Sequence, residues 1–171
     1  MKKIFLGFIA FGLFTASVQA NEVCDMEDCM AEFLKDVTPD MTDILKTGVD
    51  QFEAEKLCLD KGMRLPTARE LALDAIARKA LPSSAISETK KDGYYLVKGT
   101  DSAGNPDHFY FSPKGYKRPA GDLGNKWFWS SSVHPDDSLD AYVLNGFNGY
   151  IYYGDRSDDY YVYAVRCVQS R

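Results

Sequence analysis

The chain has 171 residues, and its 25 acidic against 20 basic residues give a formal net charge of −5. That length is enough for one domain with a hydrophobic core of its own. Because phosphate binding requires concentrated Lys and Arg, and the sequence has no such cluster, nucleic acid is excluded as the expected partner.

Residues 1–20 have the pattern of a cleaved secretory signal peptide. Lys2 and Lys3 precede an apolar run over residues 4–14, and Val18 and Ala20 occupy the positions that a signal peptidase reads. The apolar run is too short to span a bilayer, which argues against a transmembrane anchor. We therefore expect an exported protein, located in the periplasm, on the outer surface or in the medium.

Four cysteines in an exported chain predict two disulfide bonds, because oxidising compartments form and keep them. Three pairings are open. Cys24 and Cys29 lie close together in a polar segment, whereas Cys58 and Cys167 are far apart in well-patterned elements. Their spacing favours pairing the two near cysteines with each other and the two distant ones with each other.

Residues 21–48 are acidic and are interpreted as an N-terminal extension, with short helices predicted over 29–35 and 41–46. The main domain covers residues 49–171. Its first predicted helix spans 51–61, where Ala54, Leu57 and Cys58 share one side. A second helix is predicted over 68–79, starting at a capping box formed by Thr67 and Glu70 and carrying a buried stripe.

After this helix the pattern becomes extended. The segments "GYYLVKG" and "HFYFS" flank a polar loop and predict a hairpin, and residues 115–125 are interpreted as an irregular loop. Three further strands are predicted in "KWFWSSS", "DAYVLNGFNGYIYYG" and "DYYVYAVRCVQ", with turns at the Asn-Gly pairs of the second. Helices followed by strands indicate an α+β fold with an antiparallel sheet.

Three motifs now stand in a characteristic order: Cys58 with "RLPT" at 64–67 and Glu70-Leu71, then "WSS" at 129–131, then "VRCV" at 165–168. Over residues 49–169 this resembles the bacterial Lcl C-terminal domain family, a branch of the C-type lectin-like fold. The resemblance implies two N-terminal helices, a twisted antiparallel sheet with long loops, and a disulfide from the first helix to the last strand. That disulfide agrees with the Cys58–Cys167 pairing.

The chain departs from the family at Met63, where a Trp is usual, and it lacks the calcium-dependent sugar-binding motifs of classical lectins.

The same motifs also have structural interpretations. "RLPT" is typical of a strand-to-helix corner, in which Arg64 pairs with a carboxylate or a carbonyl. Of Trp127, Phe128 and Trp129, one is expected to face outward and the others to anchor the core. Ser130, Ser131 and Ser132 are expected to satisfy backbone groups.

The segment before the last strand is the candidate binding surface. Seven tyrosines lie within residues 142–163, and Tyr with Asn, Ser and Gly is the composition of antibody paratopes. In the variable proteins of diversity-generating retroelements, which share the lectin-like fold, the corresponding segment binds ligand. We expect a non-catalytic recognition protein, an adhesin or another surface or secreted domain that binds a protein or glycan. The predicted ligand-binding residues are Tyr150, Tyr152, Tyr153, Asp155, Arg156, Asp158, Asp159, Tyr160, Tyr161 and Trp129, with Trp127 as the alternative to Trp129.

Two alternative functions stay open. An extracytoplasmic enzyme could use Ser130–132 with His134, Asp136 and Asp137, although sequence neighbours seldom form a triad. The related formylglycine-generating enzymes rely on reactive cysteines, which are assigned to disulfides here. A structural subunit of a cell-surface assembly would have its tyrosines packed under the N-terminal extension.

No cofactor is required for recognition, but a calcium ion near residues 155–159 is a further hypothesis, because Asp offers the oxygen ligands that calcium prefers.

Overall fold

The computed structural model describes residues 40–160 and 162–169. The predicted signal peptide, the Cys24–Cys29 pair, the helix over 29–35 and Tyr161 lie outside these residues. Within the described part, the chain forms the predicted mixture of α and β structure, with two α-helices and several sheets. None of the helices described is both long and apolar enough to cross a membrane.

The two helices begin where the sequence predicts. Helix α1 spans Gln51–Leu59, and the Asp50 carboxylate caps it by accepting a hydrogen bond of 2.7 Å from the Glu53 amide. Helix α2 spans Ala68–Ala77 and begins at the predicted capping box. The Glu70 amide donates to Thr67 Oγ1 (3.1 Å) while the Thr67 amide donates to Glu70 Oε2 (2.9 Å), so both amides are satisfied.

The strands of the described residues are β1 Lys46–Thr47, β2 Met63–Arg64, β3 Ile86–Ser87, β4 Tyr95–Thr100, β5 Pro106–Phe111, β6 Trp127–His134, β7 Asp137–Asn145, β8 Ile151–Asp155, β9 Tyr163–Val165 and β10 Val168–Gln169. They form a five-stranded sheet (β1-β9-β6-β7-β8), a three-stranded sheet (β3-β5-β4) and a β2-β10 pair. The predicted hairpin is confirmed as β4 with β5.

Two predictions about these elements are wrong. Residues 41–46 are not helical, because their backbone pairs with the end of the chain: the Thr42 amide donates to Cys167 O (3.0 Å) and the Leu45 amide to Val165 O (2.9 Å). The large sheet is also not purely antiparallel, since β9 runs parallel to β6. The last predicted strand divides into β9 and β10, which join different sheets, and the irregular loop contains a short 3-10 helix at Gly121–Asn125.

The five-stranded sheet separates two hydrophobic clusters. Alternate residues of a strand point to opposite faces, and here Phe128 and Leu144 pack on one side with α2 and the three-stranded sheet. Trp129 and Val143 pack on the other side with α1. The predicted disulfide between α1 and the last strand region is present as Cys58–Cys167. It ties α1 to the segment between β9 and β10 and so holds the sheet that carries the candidate site.

Candidate functional site

The tyrosine-rich segment forms the edge of the large sheet. Strand β8 lies at the end of that sheet, next to β7. Because side chains alternate along a strand, Tyr152 lies on the α1 side of the sheet and Tyr153 on the opposite side. The side chains of Tyr150, Tyr152, Tyr153 and Tyr160 are 41%, 39%, 58% and 62% exposed. Tyr150, Tyr152 and Tyr160, together with Trp127 and with Asp155, Arg156, Asp158 and Asp159, are called the tyrosine surface below. Tyr153 packs on the other side of the sheet with His134 and Tyr142, so the structure does not bring it together with them.

Along the edge of β8, aromatic rings stand in a row that begins at Tyr95, which packs on the α2-side cluster, and ends at Trp127, which packs on the α1-side cluster. The ring centroids of Tyr95 and Tyr150 are 6.2 Å apart, those of Tyr150 and Tyr152 are 5.6 Å apart, and those of Tyr152 and Trp127 are 6.0 Å apart. The planes of each pair lie within 21° of parallel. At these separations near-parallel rings are strongly offset, so each covers only part of its neighbour's face and the row presents both ring surface and hydroxyl groups to a partner.

Tyr95 fixes one end of this row by capping the sheet edge. Its hydroxyl accepts a hydrogen bond from the Ile151 amide (3.0 Å) and donates to Ile151 O (3.2 Å), which satisfies outward-facing backbone groups of β8. Burial raises the pKa of Tyr95 above its usual range, so the hydroxyl keeps its proton and remains a donor. Sequence analysis missed this residue, because nothing in a sequence indicates that positions 95 and 151 meet.

The turn between β7 and β8 sets the position of the first tyrosine. The Asn145 side-chain oxygen accepts from the Phe147 amide (2.8 Å), and that of Asn148 accepts from the Tyr150 amide (3.1 Å). Gly149 takes a positive φ of 74°, which favours glycine, and its amide donates to Asn145 O (2.7 Å). The two Asn-Gly pairs therefore form the predicted turn, and they hold Tyr150 at its outer end.

On the opposite side of β8, Tyr153 packs against His134, with ring centroids 4.7 Å apart. His134 Nδ1 accepts a hydrogen bond from the Asp136 amide (3.3 Å). Among the described residues, no hydrogen bond joins His134 to a serine hydroxyl or to a carboxylate. The arrangement of a nucleophile with its base, which the enzyme hypothesis needs, is therefore not formed here.

The serines of the enzyme hypothesis have the structural partners that the sequence predicts for them. Ser130 Oγ donates to Tyr142 O (2.7 Å), and Ser132 Oγ donates to Thr100 O (2.6 Å) while it accepts from the Ala68 amide (3.0 Å). Both side chains are buried. These hydroxyl groups join β6 to neighbouring elements and satisfy backbone groups that would otherwise be buried without partners.

The acidic end of the tyrosine surface is held against helix α1. Asp155 accepts from the Ser157 amide (2.8 Å) and hydroxyl (2.7 Å), and these hydrogen bonds lower the pKa of Asp155 below its ordinary value. The Arg156 guanidinium donates to Gln51 Oε1 (2.8 Å) and lies 4.4 Å over the ring of Phe52. Phe52, which sequence analysis did not include, is exposed and extends the surface onto α1.

The described part of the chain offers no group of ligands that would support the calcium hypothesis. Among the described residues, no three His, Cys, Asp or Glu side chains are arranged to hold a metal ion. Asp155 lies opposite Asp140 in the β7–β8 ladder, and burial raises the pKa of Asp140 above its ordinary value. Calcium binding near residues 155–159 stays a prediction.

The assignment of Trp129 to the binding surface is wrong. Its side chain is 0% exposed, its indole nitrogen donates to Val49 O (2.9 Å), and it stacks on Tyr163 at 4.4 Å in the core. Burial also raises the pKa of Tyr163 to about 12. Trp127, two residues earlier, is half-buried and contacts Tyr152, so it is the tryptophan of the tyrosine surface. Sequence pattern alone could not distinguish the two, because residues two apart share a face of a strand.

Comparison with protein-family models, with curated proteins and with solved structures finds no match to this chain.

Proposed function

We propose that this is an exported recognition protein whose domain, residues 49–171, has a C-type lectin-like fold related to the bacterial Lcl C-terminal domains. Residues 1–20 would direct export. Of the extension predicted over 21–48, the segment 41–47 would belong to the domain, since it pairs with β9 and β10. In this proposal the protein binds a protein or glycan ligand at a cell surface, as an adhesin or as the binding subunit of a larger assembly.

The observation that carries the proposal is the exposure of four tyrosines on and beside one edge strand. Exposed aromatic clusters of this size are uncommon on proteins without a partner. Tyrosine is also suited to binding, because it provides a large contact area with few rotatable bonds to immobilise. Asp155, Asp158 and Asp159 follow the tyrosines of β8 along the chain. Arg156 lies among them, held by Gln51 and paired with Glu55.

The aromatic row offers a partner both ring surface and hydroxyl groups. Tyr150 and Tyr152 lie between neighbouring rings, but at centroid separations of 5.6 to 6.2 Å each ring is only partly covered, and the two residues are 41% and 39% exposed. Tyr160 is more exposed and is the tyrosine best placed to stack on a ligand. A ligand that meets both would therefore combine polar contacts at the row with an aromatic contact at residue 160.

A screen of glycan and protein arrays with the purified protein would test this function. We expect the variant with Tyr152→Ala and Tyr160→Ala to bind any ligand of the wild-type protein at least about tenfold more weakly, since aromatic anchors commonly contribute 1–2 kcal/mol each. Tyr110→Ala is the matched control, because Tyr110 is a half-buried tyrosine on the three-stranded sheet. Unchanged binding by the double variant would place the ligand site elsewhere on the protein.

The calcium hypothesis is tested in the same screen. If calcium contributes, binding will fall when a chelator is added and return when calcium is restored. Binding that is the same with and without the chelator would contradict a calcium requirement and would leave recognition by side-chain contacts alone.

A further inference from the structure

The carboxylates of the tyrosine surface have no cation of their own. Among the described residues, no ion pair involves Asp155, Asp158 or Asp159. The one cation of this surface, Arg156, is turned toward helix α1, where its Nε donates to Gln51 and its Nη2 lies 3.9 Å from a Glu55 oxygen. The aromatic row is therefore bordered by negative charge that the described part of the fold does not compensate.

The field of these carboxylates extends to the aromatic side chains. Burial first, and then the negative charges of Asp158 and Asp155, raise the pKa of Tyr163, because a nearby negative charge opposes loss of the phenol proton. The ring of Tyr163 in turn contacts those of Trp127 and Tyr160, with centroids 5.7 Å and 6.2 Å apart. The carboxylates thus lie within electrostatic range of the rings that a partner would meet.

Exposed aromatic rings and unpaired carboxylates attract the same kind of group. The face of a Tyr or Trp ring is electron-rich and binds cations, and a guanidinium group can also stack on it through its flat surface. This chain uses the same contact internally, since Arg156 lies 4.4 Å from the centroid of the Phe52 ring and Arg118 lies 5.0 Å from that of Phe147. A planar cation therefore matches both features of the tyrosine surface.

We propose that the tyrosine surface binds a protein segment that carries arginine side chains. Guanidinium groups of the partner stack on the exposed tyrosine rings and pair with Asp158 and Asp159. Arginine fits better than lysine, because its planar group can stack on a ring while it donates hydrogen bonds to a carboxylate. This inference rests on the recognition function proposed above and names the partner of that same surface.

Charge separates this partner from the other candidates. A neutral glycan gains nothing from the carboxylates, and an anionic glycan is repelled by them. A second copy of the chain, in a contact with two-fold symmetry, would bring two sets of like charges together. The net charge of −5 on the whole chain adds to that repulsion.

A short peptide with arginines spaced by glycine and serine is the probe. The same peptide with citrulline in place of arginine is its control, since citrulline keeps the planar shape and lacks the charge. The chain has two tryptophans, so their indole N–H resonances report the site. The arginine peptide should shift the resonance of Trp127, which contacts the row, and leave that of Trp129, whose indole donates to Val49 O in the core, unchanged.

Binding should also have the signature of paired charges. The citrulline peptide should bind at least about tenfold more weakly than the arginine peptide. Raising the ionic strength from about 0.05 M to about 0.5 M should weaken the arginine peptide by about tenfold, because salt screens exposed charges. The salt titration and the citrulline peptide use the wild-type protein alone, so they do not depend on the folding of any variant.

A pair of double variants locates the charges. Asp158→Asn with Asp159→Asn should weaken binding of the arginine peptide by about tenfold and leave binding of the citrulline peptide unchanged. Asp40→Asn with Asp43→Asn is the matched control. It removes the same charge from exposed positions before β1, at the opposite end of the five-stranded sheet from β8, and should bind like the wild type.

The inference is overturned if the arginine peptide at about 1 mM leaves the Trp127 resonance unmoved, if both peptides bind equally, or if both double variants lose affinity equally. Self-association that Tyr152→Ala with Tyr160→Ala abolishes would identify a second copy as the partner and would also overturn it. A glycan from the array whose binding requires the two tyrosines and not the carboxylates would remove the arginine partner and leave the recognition function standing. Ligand binding that is indifferent to the tyrosines would remove both.

Discussion

At the scale of single residues, the corner between β2 and α2 shows one side chain serving several partners. Glu70 accepts from the Thr67 amide and forms a two-pronged ion pair with Arg64, with both N–O distances 2.7 Å. These hydrogen bonds raise the pKa of Arg64 above its ordinary value. Both side chains are largely shielded from water, with exposures of 16% and 14%. The ion pair should therefore be worth more than one on the surface.

Replacing Glu70 with Ala should lower the free energy of unfolding by about 3 kcal/mol, because it removes half of the capping box and leaves Arg64 without its carboxylate. Urea denaturation measures this loss. Glu88→Ala is the matched control: Glu88 also pairs with an arginine, but it is 70% exposed and should cost less than about 1 kcal/mol. Equal losses for the two variants would contradict the role assigned to the corner.

The capping box was predictable because its residues are three apart in the sequence, and the buried stripe of α2 followed from helical periodicity. Roles that depend on distant neighbours were not predictable. Trp127 and Trp129 share a strand face, and only the packing of α1 and Tyr163 decides which one is buried. Likewise, the partners of the Arg166 guanidinium, Thr42 and Asp74, lie 124 and 92 residues away in the sequence.

At the scale of elements, the turn between β7 and β8 connects the aromatic row to the rest of the fold. The ring of Tyr116 packs directly against Gly149, and the Tyr116 hydroxyl donates to Gly146 O (2.6 Å). A Cβ atom at position 149 would lie 2.2 Å from the Tyr116 ring, which no real contact allows. The turn thus depends on glycine for two reasons, its positive φ and this close approach.

Gly149→Ala should lower the free energy of unfolding by about 2 to 4 kcal/mol, the sum of the left-handed backbone penalty and the displacement of Tyr116. Gly104→Ala isolates the first contribution. Gly104 has a similar φ of 83° with no atom within 4 Å of the added carbon, so it should lose only about 1 to 2 kcal/mol. Thermal denaturation of both variants gives the comparison. If Gly149→Ala loses no more than Gly104→Ala, the contact with Tyr116 is not restrictive.

The elements were predictable where their signals are local. Helix α1, helix α2 and the β4–β5 hairpin follow from periodicity, caps and polar loops in the sequence. The helix predicted over 41–46 failed because that segment pairs with β9 and β10, more than a hundred residues away. The same long-range pairing places β9 parallel to β6, which no local pattern indicates.

At the scale of the whole molecule, the two ends of the described chain are joined to each other. The segment from residue 41 to 47 pairs with β9 and β10, and β10 pairs with β2. The Cys58–Cys167 disulfide fixes the same region to α1 across a sequence separation of 109 residues. Cross-linking such distant residues removes much of the conformational entropy of the unfolded chain. The disulfide and the paired ends therefore act on the same part of the fold.

Replacing both cysteines, Cys58→Ala with Cys167→Ala, should lower the free energy of unfolding by about 4 kcal/mol, since loop-closure entropy grows with the length of the loop. The matched control is Cys24→Ala with Cys29→Ala, which by the predicted pairing closes a short loop and should lose no more than about 2 kcal/mol. Urea denaturation of both variants, with and without a reducing agent, measures the difference. In the control variant, a reducing agent breaks the Cys58–Cys167 bond and should therefore destabilise the protein by about as much as Cys58→Ala with Cys167→Ala does. In the variant that lacks Cys58 and Cys167, a reducing agent should cause only the small loss that belongs to the Cys24–Cys29 pair. Equal losses for the two variants would contradict the entropic argument and would assign the stability of the chain end to strand pairing instead.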